Sequence, residues 1–421
     1  MIIKNVRLID PANDLDCIRN ILIEDGRIKR ISESSIEEAA DDMVIDGKGL
    51  IAAPGLVDVH IHFRDPGQTH KEDIHTGALA AAHGGYTSVV MMANTVPTID
   101  CEEVLTDVLN RASQEKINIY SCVNASYGMK GETAVDPLPL KKLGAVGVTD
   151  DGKPILDEEL FIEVCKKAKA ANLPLSLHEE DPKYISENGV NSGEAAGNLG
   201  LTGSDRMAEI SIIERDLKIA GELGVTLSIQ HISTKEGVEL VRKAKRSNPD
   251  IHAEATPHHF TLTDEAVSQY GTLAKMNPPL RKEDDMLAIR YGIQDGTIDM
   301  IATDHAPHSA DEKNQEFTKA PSGIIGLETA LSLAIMNLVD TGVIDYKRLI
   351  EVMSLNPARL YKLKAGDLSL GNQADIVIFD PDEEYIAGDF YSKSSNSPFT
   401  GWKLKGRVKY TICHGEIVYR Y

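Results

Sequence analysis

Residues 54–365 alternate short apolar runs with amphipathic stretches, and this alternation restricts the possible folds more than any other feature of the chain. Such alternation is typical of repeated strand and helix units that build a parallel sheet. Eight runs are predicted strands, at residues 56–60, 86–92, 117–123, 145–149, 173–178, 225–230, 251–255 and 298–303. Helical patterns separate most of them, for example at 157–171, 205–223, 235–247 and 283–294. Eight such units predict an α/β protein with a (β/α)8 TIM barrel.

The two ends of the chain, residues 1–53 and 366–421, have a different pattern of short alternating runs that predicts strands. Asp25-Gly26 and His414-Gly415 each separate two such runs, as hairpin turns do. Because chain termini often lie close together, we expect both ends to form one small β-sandwich domain beside a barrel domain at 54–365.

The composition excludes several classes of function. A net charge of -21 argues against nucleic acid or an anionic membrane as a partner, because both attract an electropositive face. The five cysteines contain no C-x-x-C pair, so neither a disulfide framework nor a thiolate zinc site is indicated, and a reducing cytoplasm is the expected setting. The first residues read as a strand and not as a signal peptide, and no apolar run approaches the roughly 18 residues that span a bilayer.

Histidine and aspartate residues stand at the ends of five predicted strands, where a TIM barrel places its reactive groups. One histidine beside an apolar run is more often a packed residue than a ligand. Four imidazoles and two carboxylates buried at one rim without a cation would be costly, whereas zinc binds such nitrogen and oxygen donors. The sequence therefore predicts a metal site formed by His60, His62, Asp151, His178, His231 and Asp304.

The segment Asp58-x-His60-x-His62-Phe63-Arg64-Asp65-Pro66-Gly67 is far more specific than an isolated pair of histidines. With it, the chain resembles the amidohydrolase superfamily and, within it, the dihydroorotases of the long, class I type. The resemblance covers essentially the whole chain. Further matching segments are Thr149-Asp150-Asp151-Gly152, His231-Ile232-Ser233-Thr234, Pro257-His258-His259, Met276-Asn277-Pro278-Pro279 and Ala302-Thr303-Asp304-His305.

The resemblance implies two Zn2+ ions per subunit, with a bridging hydroxide as the nucleophile. One ion would be bound by His60, His62 and Asp304, the other by His178 and His231, and Asp151 would bridge them. Many relatives use a carboxylated lysine as the bridge, but the aspartate variant of the family matches Asp151. Asp150 and a carboxylated Lys153 stay open as alternatives, and His/carboxylate sites also accept manganese or cobalt.

The resemblance also implies roles in catalysis and substrate binding. Asp304 would carry the proton from the attacking hydroxide to the departing ring nitrogen. The substrate-binding set would be His62, Arg64, Asn94, Asn277, His308, Ser322 and Gly323. Arg64 could instead pair with Asp65, and the two asparagines could be loop formers. Ser322 departs from the Pro-Phe-Gly of many relatives, and the backbone of Ser322 and Gly323 is expected to make the contacts there.

The remaining histidines fall into two groups. His258, His259 and His305 lie in the matching segments and are expected to orient neighbours of the site. The others have no cluster around them and are predicted surface or packing residues: His70, His75, His83, His252 and His414. The polar segment 311–319 follows the last barrel strand and is a candidate mobile lid.

The implied activity is the reversible cyclisation of N-carbamoyl-L-aspartate to L-dihydroorotate in pyrimidine biosynthesis. A hydantoinase or allantoinase is the nearest alternative, but these usually carry the carboxylated lysine. A catalytically dead scaffold protein of the same family is the other alternative, and such proteins typically lose ligands that this chain retains. A homodimer and an association with aspartate transcarbamoylase are open alternatives for its partners.

Overall fold

The computed structural model describes residues 1–40 and 42–421, and its strands form two sheets. The N-terminal strands are β1 (Ile2–Asp10), β2 (Leu15–Glu24), β3 (Arg27–Ser32), β4 (Val44–Asp46) and β5 (Ile51–Pro54). The barrel strands are β6 (Leu56–Ile61), β7 (Tyr86–Met91), β8 (Asn118–Val123), β9 (Gly147–Val148), β10 (Leu175–Leu177), β11 (Leu227–Ile229), β12 (Ile251–Ala255) and β13 (Met300–Ile301). The C-terminal strands are β14 (Ile376–Ile386), β15 (Lys403–Cys413) and β16 (Glu416–Arg420).

Strands β6 to β13 lie side by side in chain order, and all neighbouring pairs are parallel. A parallel bridge between Ile61 and His305 joins the end of β6 to the segment after β13 and closes the ring. The carboxylate of Asp58 on β6 also accepts the backbone N–H of Thr303, at 3.2 Å, across this seam. The predicted TIM barrel is confirmed.

Several barrel strands are shorter than the sequence predicts. The fourth run was expected at 145–149 and is a strand only at Gly147–Val148, and the last contracts from 298–303 to Met300–Ile301. The runs at 173–178 and 225–230 are likewise reduced to Leu175–Leu177 and Leu227–Ile229, whereas β12 spans its whole predicted run. In the shortened strands the residues at the carboxyl ends lie outside the ladder.

Helices surround the barrel and cap its ends. In the described residues they are α1 (Ile74–His83), α2 (Glu102–Ala112), α3 (Pro137–Leu143), α4 (Glu158–Ala171), α5 (Glu194–Asn198), α6 (Met207–Leu223), α7 (Lys235–Lys245), α8 (Ala266–Tyr270), α9 (Glu283–Asp295), α10 (Ala310–Lys313), α11 (Ala330–Ala334), α12 (Tyr346–Ile350) and α13 (Asn356–Leu360). The four helices predicted by periodicity correspond to α4, α6, α7 and α9. In residues 1–40 and 42–421, no helix combines the length and apolarity that a membrane crossing requires.

The bottom of the barrel is filled by Tyr361, which follows α13 and packs with the interior side chains of several strands. A Cβ on Gly147 would approach the Tyr361 ring to 2.7 Å and Cys122 Sγ to 2.9 Å, so only glycine fits at this point of β9. Side chains therefore fill the barrel interior below the rim at the carboxyl ends of the strands.

The terminal strands form a single mixed sheet in the order β16-β15-β14-β5-β1-β2-β3, with β4 also paired to β1. Antiparallel pairing of β5 with β14 joins the two ends of the chain. The sheet curves around its own apolar core, while Ile51, Ala53, Val377 and Phe379 belong to the core shared with the barrel. The hairpin turns at Gly26 and His414 touch, since a Cβ on Gly26 would lie 2.6 Å from His414 O. Both ends of the chain thus contribute to one sheet separate from the barrel sheet, as the sequence predicts.

Candidate active site

A cavity of about 210 Å3 opens at the carboxyl ends of the barrel strands. Most of the residues that line it are polar, which suits a small, charged ligand more than an apolar one. Every residue predicted from the sequence to touch substrate borders it. The lining consists of His62, Arg64, Asn94, Asp151, Gly152, His178, His231, Asn277, Asp304, Ala306, His308, Ser322 and Gly323.

The first group of ligand atoms comprises His60, His62 and Asp151. His60 Nε2 lies 3.4 Å from Asp151 Oδ1, and His62 Nε2 lies 3.4 Å from Asp151 Oδ2. The two histidines come from one strand end, where residues i and i+2 face the same side. Asp304 joins this group, because its Oδ1 is 3.0 Å from His62 Nε2 and 3.6 Å from His60 Nε2.

The second group comprises His178, His231 and the same Asp151. His178 Nδ1 is 2.9 Å from His231 Nε2, and these nitrogens lie 3.9 Å and 3.8 Å from Asp151 Oδ1. His231 has a φ of 29°, a conformation that few non-glycine residues adopt and that is often found at functional sites. Asp151 thus lies between the two groups and faces both.

Three acceptors fix the protonation of the imidazoles. Glu254 Oε2 accepts from His60 Nδ1, Asn94 Oδ1 from His62 Nδ1, and Glu180 Oε2 from His178 Nε2, each at 3.0 Å. In each ring the other nitrogen is left with its lone pair towards the centre of the site, which is the arrangement of metal-binding histidines.

Sequence reasoning missed Glu254 and Glu180. Glu254 lies on β12 between two small apolar residues and is fully buried, and a buried carboxylate needs a partner. This requirement could have identified Glu254 from the sequence as the partner of another buried polar group. Glu180 follows His178 by two residues, in an acidic run that reads equally well as a solvated loop.

The electrostatics of the site favour a bound cation. Burial lowers the pKa of His60, but the carboxylates of Asp151 and Glu254 outweigh burial and raise it well above its ordinary value. Burial raises the pKa of Asp151, yet His60 and His231 outweigh it and hold the pKa well below its usual range. Carboxylates and imidazoles buried together therefore stabilise positive charge at this point.

The residues present fit a metal ion. His60 Nε2 is fully buried and has no hydrogen-bond partner in the described part of the chain. A buried polar atom without a partner is costly, and a metal at this point would supply one. The donor set of imidazole nitrogens and carboxylate oxygens is the one that zinc and similar divalent ions bind.

The two alternatives for the bridging position lie elsewhere. The carboxylate of Asp150 accepts the backbone N–H groups of Ala125 and Ser126, at 2.9 and 3.0 Å, and the Ser126 hydroxyl at 2.5 Å. It stabilises the loop after β8 and points away from the imidazoles. Lys153 is exposed and belongs to neither ligand group.

Arg64 enters the cavity without a carboxylate partner within 4 Å in the described residues. Its Nε donates to Pro307 O at 3.3 Å, and its φ of 59° belongs to the left-handed region. The alternative pairing with Asp65 is absent from residues 1–40 and 42–421, because Asp65 pairs with Arg111 instead. Burial lowers the pKa of Arg64, as expected for an unpaired guanidinium held out of water.

Some of the other residues predicted to contact substrate already form hydrogen bonds within the protein. Asn94 donates to Asp151 Oδ2 at 3.1 Å while accepting from His62, so its amide already supports the ligand groups. Asn277 Oδ1 is buried without a partner in the described chain. The backbone N–H of Gly323 donates to Lys275 O at 2.8 Å. This N–H is therefore not available for the expected contact with a substrate.

The three additional histidines of the matching segments, His258, His259 and His305, are buried. His259 bonds to the Thr256 hydroxyl at 2.8 Å and to Pro278 O at 3.0 Å, which ties the two loops together. His305 contacts Glu72 at 3.4 Å. His258 is buried beside the site, and burial lowers its pKa to about 4, so the ring is neutral.

The segment 308–319 is more firmly anchored than its polar composition predicts. It contains α10, which begins with a capping box between Ser309 and Glu312. Lys313 is buried and donates to two backbone carbonyls, while Thr272 donates to Lys313 O at 2.6 Å. Within this segment the Lys313 ammonium satisfies backbone carbonyls instead of facing water, whereas Lys319 is exposed, and the role of the segment as a lid stays a prediction.

The comparisons with known proteins agree with this geometry. The sequence model of the Amidohydrolase family matches residues 51–418. The chain is 49% identical to a dihydroorotase of Clostridioides difficile over 419 residues, covering 100% of this chain and 99% of that protein. It is 46% identical to a dihydroorotase of Streptococcus pneumoniae, and both chains are covered completely.

Solved structures with the same fold are hydantoinases and related enzymes. L-hydantoinase from Arthrobacter aurescens is similar with a TM-score of 0.90 at 25% identity, over 100% of this chain and 96% of that one. Dihydropyrimidinase from Brevibacillus agri has a TM-score of 0.85 at 20% identity, over 100% and 95%, which shows the fold alone.

Proposed function

Because the chain belongs to the amidohydrolase family, within its dihydroorotase group, and is a hydrolase of a cyclic amide, we propose that it interconverts N-carbamoyl-L-aspartate and L-dihydroorotate. The observation that carries the choice of substrate is the unpaired Arg64 in a polar cavity beside two metal-ligand groups. Its charge suits a ring that bears a carboxylate.

The proposed cofactor is a pair of Zn2+ ions. His60, His62 and Asp304 would hold one ion, His178 and His231 the other, and Asp151 would bridge them. Such ions supply a water that is deprotonated near neutral pH and polarise the amide carbonyl. The unpartnered His60 Nε2 and the shared position of Asp151 support this arrangement.

The proposed reaction path uses Asp304 to move the proton. In hydrolysis a bond forms between the water oxygen and the ring carbonyl carbon, and the bond from that carbon to the ring nitrogen breaks. Asp304 takes the proton from the water and delivers it to the departing nitrogen, and ring closure is the reverse. His62 and His60 lower the pKa of Asp304 despite its burial, so the carboxylate is charged and ready to accept.

Arg64, Asn277 and His308 would orient the ring. Arg64 would hold the free carboxylate through two parallel hydrogen bonds. Asn277 Oδ1, which lacks a partner in the described chain, would accept from a ring N–H. Each of these residues borders the cavity.

The direct experiment follows the ultraviolet absorbance of dihydroorotate with purified protein whose metal content has been assayed. We expect hydrolysis and ring closure together with about two ions per chain. Hydantoin, allantoin and dihydrouracil serve as comparison substrates. Faster turnover of one of these than of dihydroorotate would instead support a hydantoinase-type activity, and a metal-loaded protein inactive with every ring would support a scaffold role.

The position of the equilibrium should depend on pH in a known direction. Carbamoyl aspartate has two carboxylates and dihydroorotate one, so each ring closure consumes one proton. At pH values above the pKa of the reacting carboxyl, each decrease of one pH unit should therefore raise the equilibrium ratio of dihydroorotate to carbamoyl aspartate about tenfold. The rate of closure should likewise increase in acid and that of hydrolysis in base. A ratio independent of pH would contradict the proposed reaction.

Glu254 should determine how tightly the first ion binds. Replacing Glu254 with Gln would remove the charge that holds the proton on His60 Nδ1, and we expect metal affinity to fall roughly 10- to 100-fold. Titration with a chelator measures this directly. The matched control is Glu163→Gln on the surface of α4, which should leave affinity unchanged. Equal affinities for both variants would mean that Glu254 does not orient the ligand.

The proposal includes a cytoplasmic setting, supported by five free cysteines in the described chain. A homodimer and a complex with aspartate transcarbamoylase are the proposed assemblies. Native mass measurement of the protein, alone and mixed with that enzyme, would test both.

A further inference from the structure

Three buried lysines lie behind the part of the cavity wall that His308, Ser322 and Gly323 form. Lys71 is 7% exposed, and Lys275 and Lys313 are each 4% exposed. Together with Arg64 they surround His308 and the segment 320–323. Within 4 Å, Glu312 is the one carboxylate that pairs with these three lysines in the described residues, and it pairs with Lys71 at 3.0 Å.

Lys71 and the Ser322 carbonyl together fix the tautomer of His308. Lys71 Nζ lies 3.4 Å from His308 Nδ1, and an ammonium group can only donate. His308 Nδ1 must therefore accept, which places the ring proton on Nε2. That nitrogen donates to Ser322 O at 2.9 Å and faces Arg64 Nη2 at 3.4 Å.

Arg64 Nη2 thus faces a ring nitrogen that carries a proton and cannot accept from it. The His308 proton is already donated to Ser322 O, so the group that lacks an acceptor at this point is Arg64 Nη2. The imidazole is neutral, because burial and the charges of Arg64 and Lys71 lower the pKa of His308 to about 2. An anion at this point would accept from Arg64 and could share the His308 proton with Ser322 O.

Lys313 holds the neighbouring backbone. Its Nζ donates to Pro321 O at 2.9 Å and to Gly323 O at 3.0 Å, and Lys275 Nζ donates to Phe317 O and Ala320 O, each at 2.7 Å. Neither lysine has an ion-pair partner within 4 Å in the part of the chain described. Burial and the neighbouring Lys275 lower the pKa of Lys313 to about 7, so a negative charge nearby would favour its protonated form.

We infer that Lys71 and Lys313 are positioning residues for an anionic substrate: Lys71 donates to His308 Nδ1 and so helps to keep the ring proton on Nε2, and Lys313 holds segment 321–323. This inference rests on the proposed function, since its ligand is the ring carboxylate. Neither lysine touches the reacting bond. Their effect should appear in the binding of a charged ring and disappear with a neutral ring.

The test compares dihydroorotate with dihydrouracil, the same ring without the carboxylate, on Lys71→Met, Lys71→Gln and Lys313→Met. For each Met variant we expect KM for dihydroorotate to rise roughly 10- to 100-fold, as when a charge-assisted hydrogen bond is lost, with kcat changed much less. Lys71→Gln should recover part of the loss, because an amide N–H can still donate to His308 Nδ1. Values for dihydrouracil should stay close to those of the parent.

The control is Lys319→Met, an exposed lysine of the same segment, which should match the parent with both rings. Metal content and thermal melting of every variant separate binding from folding. Equal losses with both rings, no loss with either, or a general loss of metal and fold in the Lys71 variants would overturn the inference. A parent protein inactive with dihydroorotate would instead refute the proposed function itself.

Discussion

Replacing Asp151 with Ala should abolish turnover and remove most of the bound metal while leaving a folded protein. Asp151 is the one residue shared by both ligand groups in the described chain. Without it, four imidazoles and Asp304 would have to hold two divalent ions with less negative charge between them. A metal ion contributes several kcal/mol of transition-state stabilisation, so we expect kcat/KM to fall by at least about 10³-fold.

The fold should tolerate this change because the apolar core lies below the rim and Asp151 contributes nothing to it. Elemental analysis, steady-state kinetics and circular dichroism measure the three quantities on one sample. Lys153→Met is the control, because Lys153 is exposed and should not affect metal content. Full activity with two ions in Asp151→Ala, or metal loss in Lys153→Met, would move the bridging role to another residue.

The second large effect is expected at Arg64. Replacing Arg64 with Met removes a guanidinium that has no carboxylate partner within 4 Å in residues 1–40 and 42–421. Breaking a desolvated charge pair costs on the order of 2–5 kcal/mol. At about 1.4 kcal/mol per tenfold, kcat/KM for dihydroorotate should fall roughly 30- to several thousand-fold.

Dihydrouracil distinguishes substrate recognition from support of the metal site. It should be a poor substrate for the parent, and Arg64→Met should reduce its kcat/KM far less. Arg64→Lys restores the charge but not the planar pair of donors, so we expect only partial recovery with dihydroorotate. Equal losses with both rings would mean that Arg64 supports the ligand groups, and a hydantoinase-type activity would then be favoured.

Much of the barrel could be predicted because its signals are local. The pattern of apolar residues within each run or amphipathic stretch indicates which of its faces is buried. Helix starts are also marked locally, since α4 begins just after Asp157, whose carboxylate accepts from Leu160 N at 2.7 Å. Strand ends were less predictable. Whether Thr149 continues the ladder or leaves it depends on neighbouring strands, which the local pattern does not contain.

The ligand groups were predictable for a different reason. In a barrel, every strand ends at the same rim, so histidines far apart in sequence must meet there. Glu254 and Lys313 were not predictable in this way. Their roles depend on which His60 nitrogen faces inward and on which carbonyls segment 317–323 exposes, and both are set by tertiary contacts.

Segment 308–319 is instructive because its composition suggested mobility. Lysine and glutamate are usually solvated, yet Lys313 lies in the interior with its amine on Pro321 O and Gly323 O. Composition alone cannot distinguish a solvated lysine from one that caps backbone carbonyls.

The pairing of β5 with β14 has a consequence for biosynthesis. Strands β1 to β5 leave the ribosome first, but one edge of β5 lacks its partner until residues 376–386 have been translated, after the whole barrel has emerged. Unpaired strand edges invite association with other chains. A chain truncated before β14 should therefore expose the edge of Ile51–Pro54 and associate more readily with other chains than the full chain does. The last strands to be made protect the first.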